Sequence, residues 1–169
     1  FIDDSAMLSV PEIRAKCRRL KQQAGLKMVV VDYLQLMSSG KKVESRQQEV
    51  SEFSRSLKLL AKELQVPVIA LSQLNRGPEQ RGDKKPAISD LRESGSIEQD
   101  ADMVLLLHRE DAYDRDIRPG EADIIVAKHR GGPTKTIPVA FHGHLARFAD
   151  IAQGAGPGDG MHGAPPLPP

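Results

Sequence analysis

With 169 residues, 28% of them charged and 39% hydrophobic, the chain falls among globular proteins and is long enough for one domain with a real core. Aromatics at 4% and the absence of Trp argue against a β-sandwich built on aromatic packing, and a net charge of +1 gives no bulk attraction to nucleic acid, so any basic surface must arise locally. Its single cysteine, Cys17, excludes an internal disulfide and fits a reducing, cytoplasmic setting, while no apolar run reaches the roughly 18 residues of a membrane span.

Taken in chain order, residues 9–24 read as a helix. Ser9 and Glu12 form a capping-box pattern, Pro11 sits in the first turn, Ile13, Cys17 and Leu20 give the apolar spacing, and Gly25 stops it. The run "MVVVD" (28–32) is a strand whose unbroken apolar residues predict burial on both faces, as in a parallel sheet. After the polar stretch "SSGKKVESR", residues 45–64 form the clearest helix, with Val50, Phe53, Leu57, Leu60, Ala61 and Leu64 on one face. A second buried strand, "VPVIALSQ" (66–73), completes a βαβ unit.

Residues 76–90 show no periodicity and read as an exposed, flexible loop. "MVLLLHR" (103–109) and "EADIIVAKHR" (121–130) are further strands, and "TKTIPVAFHG" with "LARFAD" makes a terminal hairpin. From Gly154 five Gly and five Pro fall within sixteen residues, which predicts a disordered tail over 153–169 behind a domain of 1–152. The expected class is therefore α/β, a mostly parallel sheet with flanking helices.

Ligands of open parallel sheets sit at the carboxyl ends of the strands. Asp32, Gln73, His108 with Arg109, and Lys128 with Arg130 end four successive strands, so these groups are expected to converge on one rim. An acid after an apolar strand is the Walker B pattern, whose carboxylate holds Mg²⁺ beside a nucleotide, although a turn-capping acid looks the same on a single strand. The companion G-x-x-x-x-G-K-[ST] loop does not occur in these residues; "SSGKK" lacks its first Gly and its Ser/Thr, and since the sequence opens on Phe1 that loop is expected upstream. Arg92, Glu93 and Gly95 cluster polar groups around a glycine, and Arg76, Arg81, Lys84 and Lys85 add positive charge ahead of them, enough to meet a phosphate backbone. Lys128 and Arg130, two apart on a strand, point to one side, and an anion such as phosphate between them relieves their repulsion. His142 and His144 lack further ligands at metal spacing.

Together "VVVDYLQLM", "ESRQQEVSEFSRSLKLLAKELQVPVIALSQLNR", "DLRESGSIEQDADMVLLLHRE" and "AKHRGGPT" resemble, in order and spacing, the RecA-like motor domain of the DnaB-type replicative DNA helicases. The resemblance runs from about Phe1 to Asp150. It implies an ATP-hydrolysing helicase that unwinds duplex DNA by moving on a single strand, working as a homo-hexameric ring with a primase and a helicase loader as partners. It also implies that Asp32 holds Mg²⁺ with ATP and that Gln73 senses the γ-phosphate. Arg92, Glu93 and Gly95 would touch single-stranded DNA, with Arg81 and Lys84 nearby, while Lys128 and Arg130 would reach the neighbour's ATP. A RadA-like recombination ATPase, and a non-catalytic remnant that only binds DNA or partners, remain as alternatives.

Overall fold

A computed structural model describes residues 1–5, 8–37, 45–91 and 95–151. Helix α1 spans Val10–Ala24; the Ser9 N–H donates to the Glu12 carboxylate at 2.8 Å, and Gly25 closes the helix with φ +64°, a left-handed conformation that glycine adopts freely. Strand β1 (Val29–Val31) leads into a 3-10 turn at Leu34–Leu36. Helix α2 (Arg46–Leu64) begins on Ser45, whose hydroxyl accepts the Gln48 N–H, and strand β2 is Val68–Ala70. Two short helices follow, α3 (Gly77–Gln80) and α4 (Gly95–Asp100). Strands β3 (Met103–His108), β4 (Glu121–His129), β5 (Lys135–His142) and β6 (Arg147–Ala149) complete the order.

The sequence periodicity explains the core. The α2 stripe of Val50, Phe53, Leu57, Leu60 and Leu64 packs with Ile13 and Cys17 of α1 over Val29, Leu34 and Met37. A second cluster gathers Leu91, Val104 and Leu106 with Ile97 of α4 and Ile125 of β4. Strands β1 and β2 pair in parallel, Val30 opposite Ile69, across the α2 connection.

The α/β class holds, but the sheets are mixed. Parallel pairing is confined, among the described strands, to β1–β2, whereas β3-β4-β5-β6 form an antiparallel sheet. The physical reason lies in the connections: residues 109–120 join β3 to β4 through a 3-10 turn with no crossover helix, and a parallel return requires one. Burial on both faces also fails within these residues. Val29, Val104 and Leu106 are buried, while Val30, Ile69, Leu71, Met103, Leu105 and Leu107 stand exposed, because α1, α2 and α4 cover one side only. The predicted Gly/Pro tail lies outside the described residues, and no helix among those described is long and apolar enough to cross a membrane.

Candidate functional site

At the carboxyl end of the parallel pair, Asp32 follows β1 directly, and the register Val31↔Ala70 brings it level with the start of the segment that carries Gln73. Backbone bonds extend the pairing past both strands: Leu71 N–H donates to Val31 O and Leu34 N–H to Leu71 O, each at 2.9 Å. Gln35 then locks the two ends together. Its amide donates to the Ser72 hydroxyl at 3.0 Å, and its carbonyl oxygen accepts the Gln73 N–H at 3.3 Å. Arg46, at the start of α2, holds this turn from behind by donating to Gln35 O at 2.8 Å and Met37 O at 3.2 Å. The Asp32 carboxylate and the Gln73 side chain are both exposed, and no hydrogen bond or ion pair engages the Asp32 carboxylate among the described residues. Sequence reasoning missed Gln35 and Arg46; Gln35 stands three residues after the acid, with no local signal that marks it as a clamp.

Gln73 opens onto a cavity of about 640 Å³ lined by Asn75, Arg76, Lys84, His108, Arg109 and Phe141, among others. The Arg109 guanidinium lies 3.9 Å from the Phe141 ring centroid, a cation–π contact, and the buried His108 Nε2 has no hydrogen-bond partner among the described residues. Below it the Arg118 guanidinium grips the buried Asp123 through two bonds of 2.9 Å and holds that carboxyl below the usual carboxylate range.

The expected single rim is not formed. Antiparallel pairing sets His108 opposite Asp123 and Lys128 opposite Val104, so Lys128 and Arg130 stand at the far end of β3 from His108. That displacement is roughly 13 Å along the strand at about 3.3 Å per residue. Asp32 and Gln73 come together; Lys128 and Arg130 come together elsewhere. The two cations do point to one side, as their spacing requires. Lys128 Nζ donates to Glu98 O, and Arg130 Nη2 reaches Gln99 O at 3.4 Å, both at the C-terminal end of α4. Arg130 also lies 3.5 Å from the Asp102 carboxylate, which is tied to Lys58 of α2. Their anion within this chain is thus a helix terminus and a carboxylate, a pairing that the sequence did not suggest.

Of the predicted DNA-contacting residues, Arg92 and Glu93 lie outside the described residues. Gly95 opens α4, is exposed, and has free space around it: a Cβ there would meet nothing within 4 Å. Two loop cations are engaged internally instead of presented outward. Arg81 donates twice to the buried Asp90 and once to Lys85 O at 2.7 Å, and Lys84 Nζ lies 5.0 Å from the Tyr113 ring centroid. The reason is Asp90, a buried carboxylate that requires a cation. The loop is accordingly built, with α3 and a 3-10 turn at Ile88–Asp90, not featureless.

A parallel pair crossed by a helix, with an acid and a clamped glutamine at its carboxyl end, beside an antiparallel sheet, is an α/β arrangement of the RecA-like class. Two solved structures agree with that class. One, described as the ATPase domain of G40P, superposes with a TM-score of 0.83 at 46% identity, covering 88% of this chain and 53% of that one. The other, a DnaB-like replicative helicase studied with its primase interactions, gives 0.84 at 46% identity, covering 89% and 37%. Residues 1–150 match the model of the DnaB-like helicase C-terminal domain, and the chain belongs to that family. It is 78% identical to the replicative DNA helicase DnaB of Leifsonia xyli subsp. xyli over 90% of this chain and 34% of the relative, and 58% identical to that of Geobacillus stearothermophilus over 89% and 34%. The chain therefore spans about a third of the length of these relatives.

Proposed function

We propose that these residues form the C-terminal part of an ATP-driven replicative DNA helicase motor that moves on single-stranded DNA as a homo-hexameric ring. The observation that carries this reading is the pair Asp32 and Gln73, a carboxylate unpartnered among the described residues and a glutamine whose backbone Gln35 clamps beside it. A lone carboxylate suits Mg²⁺, which keeps several waters and shares substrate phosphate oxygens in place of an all-protein cage; among the described residues no cluster of three His, Cys, Asp or Glu offers such a cage. Bound there, Mg²⁺ with ATP would supply neutralisation of charge developing on the phosphates. Asp32 holds the metal side, Gln73 presents its amide at a fixed position, and the Arg46–Gln35 clamp keeps both from drifting.

Lys128 and Arg130 act on a neighbouring copy. Their separation from Asp32 within one chain supports a contribution in trans, since they stand away from their own chain's acid. Single-stranded DNA would be met by Arg92, Glu93 and Gly95; with Arg81 and Lys84 held internally, charge from the preceding segment is a smaller part of the grip. Primase is proposed as a partner from the DnaB-like replicative helicase described with its primase interactions, and a loader from the family resemblance.

The test is ATP hydrolysis by the full-length protein that carries this segment. Asp32→Asn abolishes Mg²⁺-dependent turnover, and Arg130→Ala lowers it about 10³- to 10⁵-fold. A wild-type rate in either variant would overturn the motor reading. Residues 1–169 alone, which contain no G-x-x-x-x-G-K-[ST] loop, hydrolyse no ATP. Filaments in place of closed rings would favour a recombination ATPase, and absence of Mg²⁺-dependent ATP affinity in the assembled protein would favour a non-catalytic remnant.

A further inference from the structure

The last carbonyls of any helix lack intrahelical partners, and cations settle on them. In α4 these are Glu98 O and Gln99 O, and both are taken by residues of β4. Lys128 Nζ donates to Glu98 O and lies 3.4 Å from Gln99 O; Arg130 Nη2 lies 3.4 Å from the same Gln99 O. Just beyond, Asp102 O accepts the Arg130 N–H at 2.8 Å, while the Asp102 carboxylate faces Lys58 on one side and the Arg130 guanidinium, at 3.5 Å, on the other. Ser96 joins the other end of α4 to α2 through a 2.8 Å bond to Ser51.

We infer that Asp102 and the α4 carbonyls form a resting seat for Lys128 and Arg130, so that the pair occupies either this seat or an anion offered by a neighbouring copy, never both. The inference rests on the proposed motor function, and it makes Asp102 a positioning residue. Three observations support a seat built to be left. Arg130 is 60% exposed and its seat contacts are 3.4–3.5 Å, long enough to be weak. Asp102 is bound more closely to Lys58, so the seat keeps its shape when Arg130 departs. The Lys58 bond chiefly, with Arg130 and Lys128 adding attraction, holds the Asp102 carboxyl below the usual range, so it stays charged at neutral pH. Because α4 begins at Gly95, itself among the proposed DNA-contacting residues, departure of the two cations bares the far end of that helix and links the neighbour's nucleotide to the DNA-facing segment of this chain.

The test uses the full-length protein assembled with and without single-stranded DNA. Asp102→Asn removes the charge and keeps the shape, so Arg130 leaves its seat more readily. DNA-free ATP hydrolysis rises about two- to fivefold, the factor that an exposed ion pair supplies, and stimulation by DNA falls by the same factor. Lys58→Met, which loosens α2 from Asp102 but leaves the Arg130 contact, does not raise the DNA-free rate. An unchanged or lower rate in Asp102→Asn, or an equal rise in Lys58→Met, overturns the seat. In the unmutated assembly, a non-hydrolysable ATP analogue speeds amide exchange over residues 98–102, and Arg130→Ala abolishes that response; exchange that is indifferent to the analogue overturns it as well. The motor reading fails separately, through wild-type turnover in Arg130→Ala.

Discussion

Asp90 illustrates how a single buried carboxylate decides the fate of a loop. It accepts from Arg81 twice and from the Ala87 N–H at 2.7 Å, and the Arg81 bond holds its carboxyl below the ordinary carboxylate range. Stability from a depressed carboxylate is present above the unfolded-state value, about 3.9, and is lost as pH falls through the lower folded value. Arg81→Ala is therefore expected to lower the unfolding midpoint at neutral pH, with the gap to the parent narrowing as pH falls through the lowered folded value of Asp90. Denaturant melts at two pH values measure this; an equal gap at both would show that Arg81 acts through packing alone. The sequence showed Arg81 as a cation of an open loop because a partner nine residues away, across an irregular segment, leaves no periodic signature.

At the level of elements, local signals were legible, as were the parallel β1–β2 unit and the terminal hairpin, whereas the antiparallel pairing of β3 with β4 was not. Both long helices lie within one residue of their expected bounds, since caps and a 3.6-residue stripe are written in adjacent residues. Ser45→Ala is expected to cost about 1 kcal/mol by removing the cap of α2, and Phe53→Ala, at the centre of its packed stripe, about 3–5 kcal/mol; chemical denaturation checks both. The direction of β4 against β3 depends on contacts between distant residues, so the convergence of four strand ends on one rim could not be tested by pattern alone. The turn after β4 gives a sharper expectation. A Cβ on Gly132 would stand 2.5 Å from the His129 ring, between the two cations. Gly132→Ala should lower ATP turnover while leaving the melting point nearly unchanged, and adding His129→Ala should restore turnover.

Across the described residues, six of the exposed apolar side chains fall in two groups. Val30, Ile69 and Leu71 lie on and just past the parallel pair, and Met103, Leu105 and Leu107 alternate along β3. Patches of this kind mark surfaces that meet other protein. Purified alone, residues 1–169 are expected to bind a hydrophobic dye such as ANS and to self-associate with rising concentration. Val30→Thr combined with Leu105→Thr should weaken both; sedimentation and dye fluorescence provide the readout. The valine run signalled a strand buried on two sides, and among the described residues the helices cover one of them.

Placing Arg130 at the far end of β3 from the strand end that faces Gln73 has a consequence for mixed rings. On the proposed reading, a copy that lacks this guanidinium keeps its own acid intact and spoils the active centre of the subunit beside it. In mixed assemblies each defective copy therefore silences one centre, as a lesion at Asp32 also does, but the silent centre is the neighbour's, so a copy defective at Asp32 set beside it on that side costs the ring no further centre.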